Sequence, residues 1–561
     1  MKQIITFFAI LFAIVSLHAQ NVQGAWKWAH FYSGQDEMLS NATQNYIQCS
    51  HIDDDGNVYI LGSAGRQASF DDGTYVSDFH TDLCHNHGGG DVVAKYDSIG
   101  NILWKKLIKT NQGTMPVWME VTDSLIYVVG FYDYKGFYYN EGWLCFFDTM
   151  IYERDLPDTT RLAIPYPLRT GNISFYSTLD LDGNLLKTAF MGYQNDPNPR
   201  DYTYLIPITA DSFIAPFKVD ADGNIYQLLR LTYFQNSPFS SNHFKIYIYT
   251  DDTAYQYNIT LPLITQSTTC TETVNVNYLF KFSPNWEILW YHPIVDSIDG
   301  FIPTLHPLLP DTNCPFIRVD YYYYGMDIDE DGNIYLAGNV DPIEGDRVLP
   351  TYHNYPCHIY FDSNTYLTIE NARECIEMPF LVKFDSTGSP QWCRQIHRPP
   401  VIRSGPQYWV RAYFVGVDIE DDTVYVPFYF WIHRDDTIFV DENYSISNAD
   451  LPEGKKGARL QSFLSFDKET GALLHHANHE TLQYGDIPFH YTIRSNFVNN
   501  GNLFILSETG GFIDHYTTDG RWVESIPQVQ LPYFQDYANV SVNKSPRLFT
   551  DTLAIISKYP Y

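Results

Sequence analysis

The chain alternates apolar and polar positions in short runs, and pairs of these runs joined by an acidic, glycine-containing turn recur along its length. Alternation with a period of two predicts strands with one buried face, and Asp-Gly or Gly-Asn between two runs predicts a hairpin. The clear copies are "HIDDDGNVYILGSA" (51–64), "FKVDADGNIYQLL" (217–229), "MDIDEDGNIYLAG" (326–338) and "VDIEDDTVYVPF" (417–428). Weaker copies occur at 121–131 and 496–508.

A second hairpin pattern follows each copy after a gap of variable length. It occurs at 91–107, 173–189, 278–293, 379–394, 462–477 and 511–525, for example as "DVVAKYDSIGNILWKKL". Two hairpins per repeat predict a four-stranded antiparallel sheet with strands A, B, C and D.

Six such sheets are visible, and the two ends of the chain supply the parts of a seventh. The C-terminal "AIISKY" resembles the third strand of a repeat, and "GAWKWAHFYSG" (24–34) resembles the fourth, as in "NILWKKLIKT". The sequence therefore predicts an all-β fold, a single seven-bladed β-propeller whose ring is closed by the N-terminal strand. Six or eight blades remain open, because the second and last repeats are degenerate.

These repeats resemble the bacterial SBBP-type β-propeller repeat family. The first repeat carries nearly the whole pattern, from "DDDGNVYILGSAGRQASFDDGTYVSDF" to "DVVAKYDSIGNILW". The resemblance implies a propeller exported by Bacteroidetes-like bacteria. Such proteins often carry a C-terminal sorting domain for type IX secretion, and no such domain is expected here because the sequence ends inside the last repeat. The family shares no common activity, so the resemblance predicts no chemistry.

The N-terminus predicts export. Residues 1–19 combine a lysine, a short apolar run and a small residue at Ala19, which is typical of a secretory signal peptide, and residues 20–561 then form the propeller domain. The net charge of −31 disfavours nucleic acid and anionic membrane as partners. We therefore expect a periplasmic or extracellular monomer that is not inserted in a membrane.

The acidic turns raise the question of calcium. An EF-hand loop that began at Asp327 would place Gly332 correctly at position 6, but Gly338 would stand where position 12 needs a glutamate. The sequence therefore favours a plain hairpin, and we expect no metal and no cofactor. The loop "HTDLCHNH" leaves zinc binding or a disulfide open, through His80, Cys84, His85 and His87.

Eight cysteines in an exported chain make disulfides plausible. Cys49 and Cys84 form one candidate pair, and Cys357 and Cys375 form the other. Connectivity does not follow from the sequence alone.

The long connections all fall between strands B and C or between D and the next A, at one end of the sheets. Function tends to lie on long loops over a rigid scaffold. We therefore expect a non-catalytic binding or scaffold protein that recognises a glycan or an extracellular protein through that face. The candidate ligand-binding residues are Trp118, Tyr322, Tyr324, Tyr408, Trp409 and Arg411.

The alternative is a carbohydrate-active hydrolase or lyase with its site at the central mouth of the propeller; no catalytic residue can be named. An inward cluster of histidine, basic residues and carboxylates with shifted pKa values would favour this enzyme.

Overall fold

The computed structural model consists of β-strands and turns throughout its described part. The described residues are 46–53, 55–65, 89–110, 114–133, 143–147, 159–163, 172–193, 204–207, 217–235, 243–250, 253–260, 272–295, 297–299, 320–341, 357–369, 378–396, 412–414, 416–432, 437–440, 444–447, 458–480, 493–499, 501–507 and 512–527. Within these ranges no helix is long and apolar enough to cross a bilayer.

Six antiparallel units follow one another along the chain. Unit one contains β1 (Tyr46–Ile52), β2 (Val58–Gly65), β3 (Gly89–Tyr96) and β4 (Ile102–Thr110). Unit two contains β5 (Thr114–Val121), β6 (Leu125–Asp133), β9 (Asn172–Asp180) and β10 (Leu185–Tyr193). In unit three, β11 (Tyr204–Pro207) and β12 (Phe217–Val219) both pair with β13 (Ile225–Gln235), which is followed by β16 (Glu272–Phe282) and β17 (Ile288–Pro293).

The last three units repeat this arrangement. Unit four contains β19 (Asp320–Ile328), β20 (Ile334–Asp341), β23 (Met378–Phe384) and β24 (Pro390–Gln395). In unit five, β25 (Ala412–Phe414) and β26 (Asp418–Glu420) both pair with β27 (Thr423–Ile432), followed by β30 (Ala458–Asp467) and β31 (Leu473–Glu480). Unit six contains β32 (Ile493–Asn499), β33 (Asn502–Ser507), β34 (Phe512–Thr517) and β35 (Trp522–Pro527). The predicted all-β class and the four-stranded A-B-C-D repeat are confirmed, whereas residues 24–34 and the C-terminal strands of the expected seventh blade lie outside the described residues.

The acidic turns are hairpins, as the sequence predicts. Asp53 Oδ1 accepts the backbone N–H groups of Asp55 and Asn57 at 3.0 and 2.8 Å, while Oδ2 accepts the Asn57 side chain and the Tyr59 hydroxyl. Gly56 has a φ of 82°, a conformation that glycine adopts without the cost of a side chain. The first acid of the turn therefore holds its own loop closed.

In units one, three and four, the tyrosine that follows the acidic turn also contacts a lysine of the third strand. The ammonium group of Lys95 lies 4.9 Å from the ring centre of Tyr59, and those of Lys281 and Lys383 lie 4.8 and 5.5 Å from the rings of Tyr226 and Tyr335. Burial, together with the nearby turn acid, raises the pKa of Tyr59. The recurring Tyr and Lys of the repeat therefore form a structural contact.

Four of the long B–C connections contain a further hairpin where the sequence pattern predicts only a loop. β7 (Trp143–Phe147) and β8 (Thr159–Ala163) extend the sheet of unit one, and β14 (His243–Thr250) and β15 (Ala254–Thr260) extend that of unit two. β21 (Cys357–Tyr360) and β22 (Tyr366–Ile369) join β18 (Ser297–Asp299), which directly follows unit three. β28 (Thr437–Phe439) and β29 (Ser445–Ser447) form a separate pair. The first two of these hairpins pair with the outer strands of units one and two, so they cover sheet edges that would otherwise expose unpaired backbone groups.

Neighbouring units pack face to face through apolar clusters. One cluster joins units two and three around Tyr176, Phe280 and Trp286, and similar clusters join units one and two, three and four, and four and five. The strands that lead directly into the A–B turns, which we call the inner strands (β1, β5, β12, β19, β26 and β32), contact one another in chain order. The charged positions of these strands are therefore brought together.

Candidate functional site at the inner strands

One position of the inner strands carries a charged or ionisable residue in five consecutive units. It stands two residues before the start of the A–B turn and is occupied by His51, Glu120, Lys218, Asp327 and Asp418. Because the inner strands are neighbours, these residues face a common region although they are hundreds of residues apart in the chain.

Four of these residues line a cavity of about 260 Å³, which we call the inner-strand pocket. Among the described residues, its lining is formed by His51, Glu120, Lys218, Val219, Asp327, Ile328, Asp329, Glu330, Ile419 and Asp421. The pocket lies at the ends of the inner strands that lead into the A–B turns. It is thus at the face with the short acidic turns, opposite the face of long connections on which the sequence analysis placed the site.

An ion-pair chain runs through the pocket. The Lys218 ammonium lies 3.4 Å from Glu120 Oε1 and 3.7 Å from Asp327 Oδ1, so it bridges units two, three and four. The second oxygen of each carboxylate also has a donor: the indole N–H of Trp118 lies 3.3 Å from Glu120 Oε2, and the backbone N–H of Ile419 lies 3.1 Å from Asp327 Oδ2. Residues from four units therefore fix the positions of the Glu120, Lys218 and Asp327 side chains.

The protonation states in this ion-pair chain are determined by burial and by the interactions of its side chains with one another. Removal from water raises the pKa of Glu120, and the neighbouring Asp327 adds to this, while Lys218 and Trp118 oppose it. Burial alone would lower the pKa of Lys218, but the carboxylates of Glu120 and Asp327 outweigh burial and raise it. Lys218 is thus a stable cation, and Glu120 holds its proton more readily than an ordinary glutamate.

The inner strands of units four and five approach very closely beside the pocket. A Cβ atom on Gly325 would lie 2.6 Å from the backbone nitrogen of Val417 and 2.7 Å from Gly416. Only glycine permits this distance, and the contact brings the backbone of Ile419 within reach of the Asp327 carboxylate.

The acids at the mouth of the pocket differ in their availability. Asp329 is occupied by its own turn, since it accepts bonds from Asp331, Asn333 and Tyr335. Glu330 accepts a bond of 2.8 Å from Lys468, which holds the pKa of the Glu330 carboxyl below its usual value.

Asp421 is exposed, with a φ of 52° that non-glycine residues adopt infrequently. Its carboxylate has no hydrogen-bond partner among the described residues and is therefore open to a ligand.

The arrangement provides hydrogen-bond acceptors and negative charge rather than a nucleophile or a metal centre. Within the described part of the chain, no group of three or more His, Cys, Asp and Glu side chains has the geometry to hold a metal ion. The lining residues carry five carboxylates against one ammonium, so the pocket favours neutral or cationic groups and disfavours anions.

The structure places one predicted ligand-binding residue beside this pocket. Trp118 is half-buried on β5, packs against the cluster between units two and three, and orients Glu120 through its indole N–H. Tyr322 and Tyr324 lie on β19, the inner strand of unit four, and nothing is described of their side chains. Tyr408, Trp409 and Arg411 lie outside the described residues, so their binding role stays a prediction.

The cysteine predictions fall largely outside the described part. Cys49 is buried on β1, while its predicted partner Cys84 lies outside the described residues. Cys357 lies on β21, and Cys375 is not described. The loop of His80, Cys84, His85 and His87 is likewise outside the described residues, so both pairings and the zinc alternative stay predictions.

Sequence reasoning missed Glu120, Lys218 and Asp327. A signal was present, because each stands at the same distance before its turn and interrupts an apolar strand with a charge. An alignment of the repeats on their shared Asp, Gly and Tyr does not single out this position, because the charge of its residue changes sign from one repeat to the next.

Comparison with known proteins gives little further guidance. No protein-family model and no curated protein matches the chain. Among solved structures, it is similar to an ancestral GH74 enzyme at 10% sequence identity, over 86% of this chain and 68% of that chain, with a TM-score of 0.18. A likeness at this TM-score supports no argument about function.

Proposed function

We propose that the chain is an exported, seven-bladed β-propeller, closed by its N-terminal segment, that binds a ligand without transforming it. Six consecutive four-stranded units with neighbouring inner strands support this proposal, and so do the parts of a seventh unit in the sequence at the two chain ends. The inner-strand pocket would then lie around the propeller axis, where propellers have their central channel.

The ligand we propose is the neutral or amino-bearing end of an extracellular glycan. The observation that carries the proposal is the cavity itself, because seven of its ten described lining residues are ionisable and only three are apolar. Hydroxyl and ammonium groups donate hydrogen bonds, and the carboxylates that surround the cavity accept them. A volume of about 260 Å³ suits a single sugar ring better than a long chain.

Asp421 offers the cleanest test. Asp421→Asn removes one pocket charge, and asparagine tolerates the left-handed backbone, so the fold should be unaffected. Asp422→Asn is the matched control, since Asp422 is adjacent and exposed but does not line the pocket.

The parent and both variants would be titrated by calorimetry with neutral and amino-sugar oligosaccharides selected on a glycan array. We expect Asp421→Asn to weaken binding of the amino sugar by about tenfold, as loss of roughly 1.4 kcal/mol implies. Equal affinities of the two variants, or selection only of anionic glycans or of a protein, would refute the proposed site.

A hydrolase is the second candidate, because the pocket contains inward carboxylates and a glutamate with a raised pKa. Glycosidases use two carboxyl groups on either side of the scissile bond. In this pocket Lys218 lies between Glu120 and Asp327, where that bond would have to be, which favours binding over hydrolysis. Release of reducing sugar from any array hit, abolished by Glu120→Gln, would establish the hydrolase instead.

A further inference from the structure

The turn between the third and fourth strands of unit five, its C–D turn, differs from the corresponding turns of the other described units. In those turns a backbone N–H donates to the carbonyl three residues earlier, as Gly388 does to Asp385 at 2.9 Å. In unit five the corresponding bond joins Gly471 to Asp467, four residues apart, at 2.8 Å. The C–D turn of unit five therefore contains one additional residue.

The longer turn also carries a lysine. In the other described units the second residue of the C–D turn is uncharged, and the residues there are Ser98, Leu181, Pro284, Ser386 and Thr518. In unit five this residue is Lys468, which is followed by Glu469. Because the other hairpins close without a lysine at this position, Lys468 serves a purpose other than closure of the turn.

Lys468 reaches from unit five to unit four at the mouth of the inner-strand pocket. Its ammonium group donates to Glu330 Oε1 at 2.8 Å, and Glu330 lines the pocket. The Lys468 side chain is 4% exposed, whereas that of Glu330 is 73% exposed. The backbone of Lys468 is fixed as well, because its N–H donates to the Asp422 carbonyl at 2.8 Å and its own carbonyl accepts the Lys383 ammonium at 3.1 Å. The positive charge is therefore held in one place.

The surroundings of Lys468 keep it protonated. Burial alone would lower the pKa of Lys468, but the hydrogen bond to Glu330 and the charges of Glu330, Asp329 and Asp422 outweigh burial and raise it. Lys468 is thus a stable cation next to two of the acids that line the pocket.

The mouth of the pocket consequently offers fewer free carboxylates than its lining contains. Asp329 is occupied by the hydrogen bonds of its own turn, and Glu330 has Lys468 as its counterion. Asp421 has no hydrogen-bond partner among the described residues. One carboxylate at the mouth is therefore available to a ligand, and a fixed ammonium group stands beside the other two.

We propose that Lys468 determines specificity by restricting the pocket to ligands that carry a single amino group. This rests on the proposed function and defines its ligand class more closely. A volume of about 260 Å³ suits one sugar ring, so the second ring of an oligosaccharide would lie at the mouth. An amino group on that ring finds Glu330 already paired and is repelled by the Lys468 ammonium, whereas a neutral ring is not.

The test measures a ratio of two affinities by calorimetry near pH 7. The probes are a glucosamine disaccharide with both amino groups free and its mono-N-acetylated forms, which have one. Lys468→Met removes the ammonium group and keeps the apolar stem. Lys383→Met is the matched control, because Lys383 is also 4% exposed and lies at the same interface, but its partner Glu469 is not among the described lining residues.

We expect Lys468→Met to shift the ratio about fivefold towards the form with two amino groups, because Glu330 then carries an unpaired charge. Glu330→Gln should shift the ratio in the opposite direction, since it leaves the Lys468 ammonium without its partner. Lys383→Met should leave the ratio unchanged. Glu330 is 73% exposed, so its variant tests the proposal even if Lys468→Met does not fold.

Equal ratios in Lys468→Met and Lys383→Met, or a Glu330→Gln ratio that does not move towards the form with one amino group, would overturn this proposal alone. If the parent binds neither form of the disaccharide, the proposed amino-sugar ligand is refuted, and the specificity proposal is refuted with it.

Discussion

Removal of the Lys218 ammonium should reveal how much the ion-pair chain contributes to stability. Lys218→Met keeps the length and apolar stem of the side chain but leaves Glu120 and Asp327 facing each other without a counterion. The side chains of these three residues are 18%, 13% and 9% exposed, so water reaches them only in part.

The magnitude follows from this burial. Removal of one partner from a buried pair costs about 3–5 kcal/mol, because the remaining charge has lost both water and its partner. The residual exposure of the pocket places Lys218→Met at the lower end, at about 3 kcal/mol near pH 7.

The loss should shrink in acid. The pKa of Glu120 is already raised in the folded parent, and it rises further once the opposing effect of Lys218 is gone. The folded variant then binds a proton that the unfolded chain releases, so its stability relative to the parent recovers as the pH falls from neutrality towards 4.5, the ordinary pKa of a glutamate.

Urea unfolding followed by tryptophan fluorescence, near pH 7 and near pH 5, measures both effects. Lys187→Met is the control, because the one hydrogen bond of Lys187 within the described part of the chain is to the neutral Asn285 on an exposed surface, and we expect a change below about 0.5 kcal/mol. A Lys218→Met variant as stable as this control at neutral pH, or one that loses further stability in acid, would refute the reasoning.

Three further predictions concern single side chains. Asp329→Asn should lower the free energy of unfolding in urea by about 1–3 kcal/mol, equally with and without calcium. The reason is that the carboxylate accepts four hydrogen bonds, which an amide cannot all accept. A calcium-dependent Tm in the parent would instead support a metal-binding loop. Trp392→Ala should lower the free energy of unfolding by about 3–5 kcal/mol, because the indole is only 8% exposed and packs in the apolar cluster that joins units four and five. A loss of less than about 1 kcal/mol would contradict this role. Burial raises the pKa of Cys393 to about 11, so its alkylation rate, followed by mass spectrometry, should still increase about tenfold per pH unit up to pH ~9, and a plateau below that pH would be inconsistent with this environment.

The repeat could be predicted because its information is local. Alternation within eight residues decides which side of a strand is buried, and an Asp-Gly turn decides where the strand reverses. The hydrogen bonds of Asp53 and the positive φ of Gly56 show that both signals act within a single hairpin.

The added hairpins and the pocket depend on longer-range contacts. Residues 246–249 alternate isoleucine and tyrosine as many strands do, but only the fold shows that the hairpin of β14 and β15 extends the sheet of unit two. In the same way, Glu120 and Lys218 are 98 positions apart and meet because their inner strands are neighbours.

The interface between units two and three explains why unit two appears degenerate in sequence. The outer strand of unit two carries Lys187 where units one, three and four have tryptophan, and the next C–D turn carries Trp286 where the other units have glycine. Trp286 adopts a φ of 65°, is buried, and lies 4.4 Å from the ring of Tyr176. The indole is therefore supplied from the turn side rather than the strand side, and the same interface volume is filled. Such an interface needs a large side chain to fill this space, and either of the two units can supply it. A count of units that relies on one tryptophan position therefore misses an interface whose indole comes from the other unit.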